Sequence, residues 1–212
     1  APILRPDLET AEAIAQSART SLSQIEDCEG FADGTPELVA IAQDETGAWL
    51  RIMIDMFEDH GTSAVIWDVK TGDQPAAPQG LGRRIANMGY EVQAALYERV
   101  ILALRPELAG RLTFRWLFVE NEAPHLCTVA ELDNVGLEVG RKKVAAAIAL
   151  WNRCIALDIW PGYPGRVVVA EYPAYAETAW TTREMEDERL RDMGLDPFLV
   201  RAPWRPAAAP KK

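Results

Sequence analysis

The stretch "RIMIDMFEDHGTSAVIWDVKTG" (residues 51–72) reads as two strands folded back on a turn. Its arms, "WLRIMIDMF" at 49–57 and "AVIWDVK" at 64–70, are apolar with β-branched and aromatic residues, and "EDHGTS" joins them with turn chemistry. Successive side chains of a strand alternate faces. Asp68 and Lys70 therefore share a face with Ile66, while Val65, Trp67 and Val69 take the other. If the hairpin is centred near residue 60 or 61, Asp55 falls across from residues 66–68. Two carboxylates and an ammonium then meet inside apolar strands, where unpaired charge is costly. Two readings fit. Asp55 and Lys70 pair across the sheet with Asp68 capping the turn, or a cation sits between two acids that would otherwise repel. Hard oxygen ligands with open positions suit Mg²⁺ or Mn²⁺. A lysine beside them would orient or deprotonate an attacking water and stabilise charge on phosphate, an arrangement suited to phosphodiester hydrolysis.

Outward from this hairpin the pattern stays regular. Upstream, "ELVAIAQ" (37–43) reads as a strand joined to the next by "DETG", and 7–27 as an amphipathic helix with Asp7 as its cap, broken by Gly30, Gly34 and Pro36. Downstream, "TGDQPAAPQG" reads as loop and 81–105 as one long helix stopped at Pro106. Strands follow at 111–120 and 125–132 across "NEAP", then a helix at about 134–158. Three strands with turn-length links make an antiparallel meander, and a helix crossing to a further strand makes the sheet mixed: an α/β chain with helices covering the sheet. Residues 1–160 are expected to form the core. Residues 161–212, which hold half of the fourteen prolines, are expected to form an extended arm of the same domain. In that arm Thr181 and Glu184 suggest a capping box for a short helix ending before Gly194, and "PAAAPKK" suggests a disordered tail.

Composition narrows the class. At 212 residues with 49% apolar residues the chain can bury a real core, and no apolar run reaches the roughly 18 residues of a membrane span. "APILRPDLET" has no basic region followed by an apolar stretch, so no signal peptide is expected. Cys28, Cys127 and Cys154 are scattered and odd in number, which fits a reducing cytoplasm better than a disulfide framework. A net charge of −10 argues against coating nucleic acid by global charge, but leaves room for a site where phosphate contacts are local and an ion offsets carboxylates. There is no phosphate-binding G-x-x-x-x-G-K-[ST], no H-E-x-x-H, and too few cysteines for an iron–sulfur cluster.

After the D-x-K strand comes "GYEVQAALYERV" (89–100), in which Gln93 and Tyr97, four apart, share a helix face. An acid, twelve residues, D-x-K, a loop, then Gly-Tyr and Q-x-x-x-Y on a helix resembles the RecB-like branch of the PD-(D/E)-x-K nucleases. The wording "WDVKTG … RRIANMGYEVQAALY" is most similar to RecE-type and phage exonucleases, over residues 30–160, with "WPGY" at 160–163 adding to it. The resemblance implies a restriction-endonuclease-like core of helix, three-stranded meander, helix and strand. It implies that Asp55 and Asp68 hold Mg²⁺ or Mn²⁺ with the Val69 carbonyl, that Lys70 serves the nucleophilic water, and that Gln93 and Tyr97 position substrate or catalytic groups. Thr71 matches the usual K-T. Ile54 replaces the family's proline, and the second acid is Asp where Glu is common. The upstream histidine of many RecB-like members is absent, since His60 and His125 lie elsewhere. Glu26, Asp27 or Glu37 would supply the further carboxylate, with Glu37 preferred because it opens a strand.

For DNA, Arg83 and Arg84 near a helix start, Arg19 on the first helix, and the cluster Arg141, Lys142 and Lys143 are candidate phosphate contacts, each also readable as a solvated helix face. The resemblance further implies an exonuclease acting 5′ to 3′ on duplex ends in recombination or repair. It also implies a ring of identical subunits and a single-strand annealing protein as partner. Two alternatives stay open at this level: a non-catalytic nuclease-fold module that binds DNA or protein, and a structure-specific endonuclease.

Overall fold

In the computed structural model, which describes residues 4–186 and 192–194, the chain divides into two compact units, Ala1–Trp160 and Pro161–Lys212. The first holds helix α1 (Arg5–Leu22), strands β1 (Thr35–Gln43), β2 (Trp49–Asp59) and β3 (Ala64–Gly72), helices α2 (Pro78–Met88) and α3 (Tyr90–Leu104), strands β4 (Leu112–Glu120) and β5 (Cys127–Glu131), and helix α4 (Asn134–Leu157). The described part of the second carries α5 (Ala174–Glu186). Among the described residues no helix is long and apolar enough to cross a membrane.

The five strands form one mixed sheet in the order β1-β2-β3-β4-β5, antiparallel except for the parallel β3–β4 pair that the α2–α3 crossover connects. Its two faces are covered by different helices. On one, Ile52, Ile54 and Ile66 pack beneath Val100 and Ile101 of α3. On the other, α1 brings Leu22, Ile14 and Ala18 against Trp67, Leu117 and Val119. Helix α4 then packs on α3, with Val144 and Ile148 against Ala95. This is the α/β core expected from the element order.

Three details differ from the sequence expectation. The single helix at 81–105 is two, because Gly89 takes a left-handed backbone (φ 68°) that ends α2 and starts α3 at a new angle. The strand expected at 125–132 is shorter, since His125 has φ 59° and pairing begins at Cys127. Thr181 lies inside α5, where its hydroxyl donates to the Glu177 carbonyl, so it caps nothing. At the helix end expected before Gly194, Asp192 is helical and Met193 and Gly194 form a turn, Gly194 with φ 71°, while the tail "PAAAPKK" lies outside the described residues.

Candidate active site

The site is built where two strands part company. Pairing of β2 with β3 runs from Asp59↔Ala64 to Met56↔Trp67 and stops, while β3 stays paired with β4 as far as Gly72↔Glu120. The next residues on the diverging strands are Asp55 and Asp68. Divergence leaves the Val69 N–H without a strand partner, and it donates instead to Asp55 Oδ2 at 2.7 Å. The Val69 carbonyl leaves the strand on the same side as its N–H, toward the same gap. Strand β2 is itself irregular here. Ile54 and Phe57, three apart, both join the α3-side core, so the two-residue alternation slips a phase between them. The slip turns Asp55 into the opening.

Asp68 is 4% exposed. Its Oδ1 accepts a 2.5 Å hydrogen bond from Gln93 Nε2, and its Oδ2 lies 2.6 Å from Lys70 Nζ as an ion pair but makes no hydrogen bond of regular geometry. Burial pushes the Asp68 carboxyl above its ordinary pKa. The Lys70 ammonium and the Gln93 amide pull it back, and the nearby Asp55 charge pushes the same way as burial. A buried carboxylate oxygen whose partner is the Lys70 ammonium, a second carboxylate and the Val69 carbonyl directed at the same gap form a hard-oxygen donor set that fits Mg²⁺ or Mn²⁺.

Helix α3 faces this gap with residues at i, i+3 and i+7. The Tyr90 ring lies 4.6 Å from Lys70 Nζ, centroid to nitrogen. Gln93 holds Asp68, and its Nε2 also approaches Tyr97 Oη at 3.3 Å. The Tyr97 hydroxyl donates to the Met53 carbonyl at 2.7 Å, tying the helix to β2 two residues before Asp55.

The structure thus brings Asp55, Asp68, Val69, Lys70, Gln93 and Tyr97 together. It does not bring Glu37 to them. Glu37 stands alongside Asp55 in the register, between Pro36↔Met56 and Leu38↔Ile54, with φ 52°, but its side chain is exposed. Among the described residues no group of three or more His, Cys, Asp or Glu side chains is gathered as an ion site. The basic candidates are scattered. Arg83 is exposed, and Arg84 lies over the Phe118 ring at 4.9 Å while donating to the Gln74 carbonyl. Arg19 is exposed and lines a cavity of about 400 Å³ between α1 and the sheet, shared with Val69 and Thr71. Arg141 grips Glu98 through two hydrogen bonds of 2.7 and 2.6 Å, Lys142 lies 3.7 Å from Glu138, and Lys143 pairs with buried Glu91. A phosphate at that cluster has to compete with carboxylates already in place.

The sequence marks Tyr90 within Gly-Tyr, and its helical spacing to Gln93 and Tyr97 is the signal of a role at the site. Glu58 carries no such signal. This residue is 4% exposed, accepts from Trp67 Nε1 at 2.6 Å, and lies 3.3 Å from His60 Nε2. Nothing in a charged residue near a turn distinguishes it from a solvated one before the tertiary contacts form.

Residues 5–172 match the family described as "PDDEXK-like domain of unknown function (DUF3799)". No curated protein matches the sequence. Among solved structures, the crystal structure of a candidate exonuclease from Eubacterium rectale is similar, with a TM-score of 0.54 at 15% identity over 83% of this chain and 67% of that one. At that identity the likeness is one of fold.

Proposed function

The chain belongs to this PDDEXK-like family, within the PD-(D/E)-x-K nuclease superfamily, and on that premise we propose that it is a metal-dependent DNA exonuclease that hydrolyses phosphodiester bonds of linear duplex DNA. What carries the reading is one observation: Asp55, Asp68 and Lys70 converge where β2 and β3 diverge, with a buried Asp68 oxygen left short of hydrogen bonds. In this reading Asp55, Asp68 and the Val69 carbonyl hold Mg²⁺ or Mn²⁺. Bound there, the ion would polarise a phosphate oxygen and acidify a water. Lys70 Nζ orients the attacking water and offsets charge on the phosphate. Gln93 fixes the Asp68 carboxylate through Oδ1, and Tyr97 keeps α3 seated against β2. Among the described residues Arg19, Arg83 and Arg84 are the basic candidates with no acid paired to them, and we assign them to phosphate contacts.

The RecE-like features extend the proposal: 5′ to 3′ polarity on duplex ends, work in recombination or repair in the cytoplasm, a ring of identical subunits and a single-strand annealing partner. A closed ring would keep a chain of net charge −10 on its track by topology instead of nonspecific attraction.

The test is digestion of end-labelled linear duplex carrying a 5′-phosphate or a 5′-hydroxyl, with and without Mg²⁺. The expected result is Mg²⁺-dependent loss of the 5′ label, abolished in Asp68→Ala and in Lys70→Ala while both stay folded. Undiminished digestion by both purified variants disproves the assignment. Cleavage of covalently closed circles would instead identify an endonuclease.

A further inference from the structure

We infer that Tyr90 is a positioning residue for Lys70, its ring face holding the ammonium beside Asp68; this rests on the nuclease reading for its functional consequence. Lys70 Nζ lies 4.6 Å from the Tyr90 ring centroid and 2.6 Å from Asp68 Oδ2, and the lysine side chain is only 19% exposed. An ammonium over an aromatic face is attracted by the ring quadrupole, more strongly when water is excluded. The ring is itself held. Tyr90 opens α3 directly after the left-handed Gly89, and it packs at 6.3 Å on Phe118, a fully buried residue that pairs with Lys70 across β3 and β4. Floor, wall and lysine therefore come from three elements locked together.

The arrangement solves a problem that the two carboxylates create. The Asp68 oxygen nearest Lys70 is the one short of hydrogen bonds, so it is the oxygen best placed to serve a cation. Lys70 cannot depend on that oxygen alone and remain in place when it is shared. The Tyr90 face supplies a second attraction that needs no lone pair, so the ammonium keeps its position whichever way the carboxylate turns. The helix motif is accordingly one turn longer than Q-x-x-x-Y. Tyr90, Gln93 and Tyr97 each address a different part of the strand pair: Lys70, Asp68 and the Met53 carbonyl beside Asp55.

The phenolic hydroxyl plays no part in this role, and that makes the inference testable with Tyr90→Phe and Tyr90→Leu. The first readout is NMR of the lysine ε-methylene protons in the metal-free full chain. Only five lysines are present, and the Lys70 signal is assigned by its loss in Lys70→Arg. In the unmutated protein and in Tyr90→Phe it should be displaced upfield by the ring; in Tyr90→Leu it should return to the position of the exposed lysines. The second readout is kcat and KM for Mg²⁺-dependent digestion of linear duplex. Tyr90→Leu should lower kcat about tenfold with KM unchanged, and Tyr90→Phe should stay within about twofold of the unmutated enzyme. A Lys70 signal at the exposed position in the unmutated protein overturns the inference without any variant. So does a Tyr90→Leu enzyme of undiminished kcat, or a Tyr90→Phe enzyme as impaired as Tyr90→Leu, which would place the role on the hydroxyl. If the unmutated protein digests no duplex, the nuclease reading falls, and the NMR comparison alone upholds or overturns the hold of Tyr90 on Lys70.

Discussion

Gly140→Ala tests whether the spacing of α3 and α4 sets the geometry of the site. Gly140 is buried in α4, and a Cβ built there would lie 2.2 Å from the Glu91 carbonyl oxygen, 2.8 Å from its carbon and 3.2 Å from Ala95 Cβ. The nearest two atoms are backbone of α3, so no side-chain rotation relieves the clash. To restore ordinary contact the helices must separate by about 1 Å. Overpacking of this kind costs up to about 3 kcal/mol, and the better helix propensity of alanine returns about 1 kcal/mol, leaving a net loss of about 2 kcal/mol. For a chain of this size that lowers Tm by about 4–8 °C. Because α3 carries Tyr90, Gln93 and Tyr97 against the strands, the same shift should cut nuclease activity by about tenfold or more. Thermal melting followed by circular dichroism, with urea unfolding at 25 °C, measures the first effect, and duplex digestion measures the second. Gly82→Ala is the control. It sits in α2 with open space around its would-be Cβ, so it should gain up to about 1 kcal/mol from propensity alone. A Gly140→Ala protein as stable as the unmutated chain would refute the argument that backbone contact at Glu91 fixes the helix pair.

Other outcomes follow from single contacts. Mn²⁺ at a hundredfold over its Kd should stabilise the chain by about 2.7 kcal/mol and raise Tm by about 5–10 °C. Asp55→Ala should abolish the shift, and an equal shift in the variant would show that the ion binds elsewhere. Burial pushes the Asp44 carboxyl up, but hydrogen bonds from Arg99 and Thr46 outweigh it and hold its pKa down to about 2. The unfolded value is about 3.9, so this contribution of about 2 kcal/mol is fully present above roughly pH 4 and lost as the pH falls through about 2. Urea unfolding should therefore separate Asp44→Asn from the unmutated chain at pH 7 and bring them together near pH 2; an equal gap at both pH values would contradict the pairing. Tyr97→Phe removes the hydrogen bond to the Met53 carbonyl and should cost about 1 kcal/mol in the same assay, with no loss counting against the role of that bond as a tie.

What the sequence by itself determined is what periodicity encodes. Alternation in 49–57 and 64–70, with turn residues between them, sets two antiparallel strands and puts Asp68 and Lys70 on one face. The spacing of Gln93 and Tyr97 puts them on one helix face. These patterns are local, arising from the two-residue repeat of a strand and the 3.6-residue turn of a helix. The tertiary structure decided what local patterns do not carry. Gly89 divides one helical period into two helices, although a glycine inside a helix costs only about 1 kcal/mol and the apolar spacing continues through it. Arg141 and Lys143 look like free cations in sequence, yet their partners Glu98 and Glu91 are 43 and 52 residues away, brought in by the close approach at Gly140. Above all, Asp55 meets Val69 only because β2 and β3 stop pairing at Met56↔Trp67 while β3 stays paired with β4 through Gly72↔Glu120. A strand's own residues specify which way its side chains face; where it leaves its neighbour depends on what packs against both.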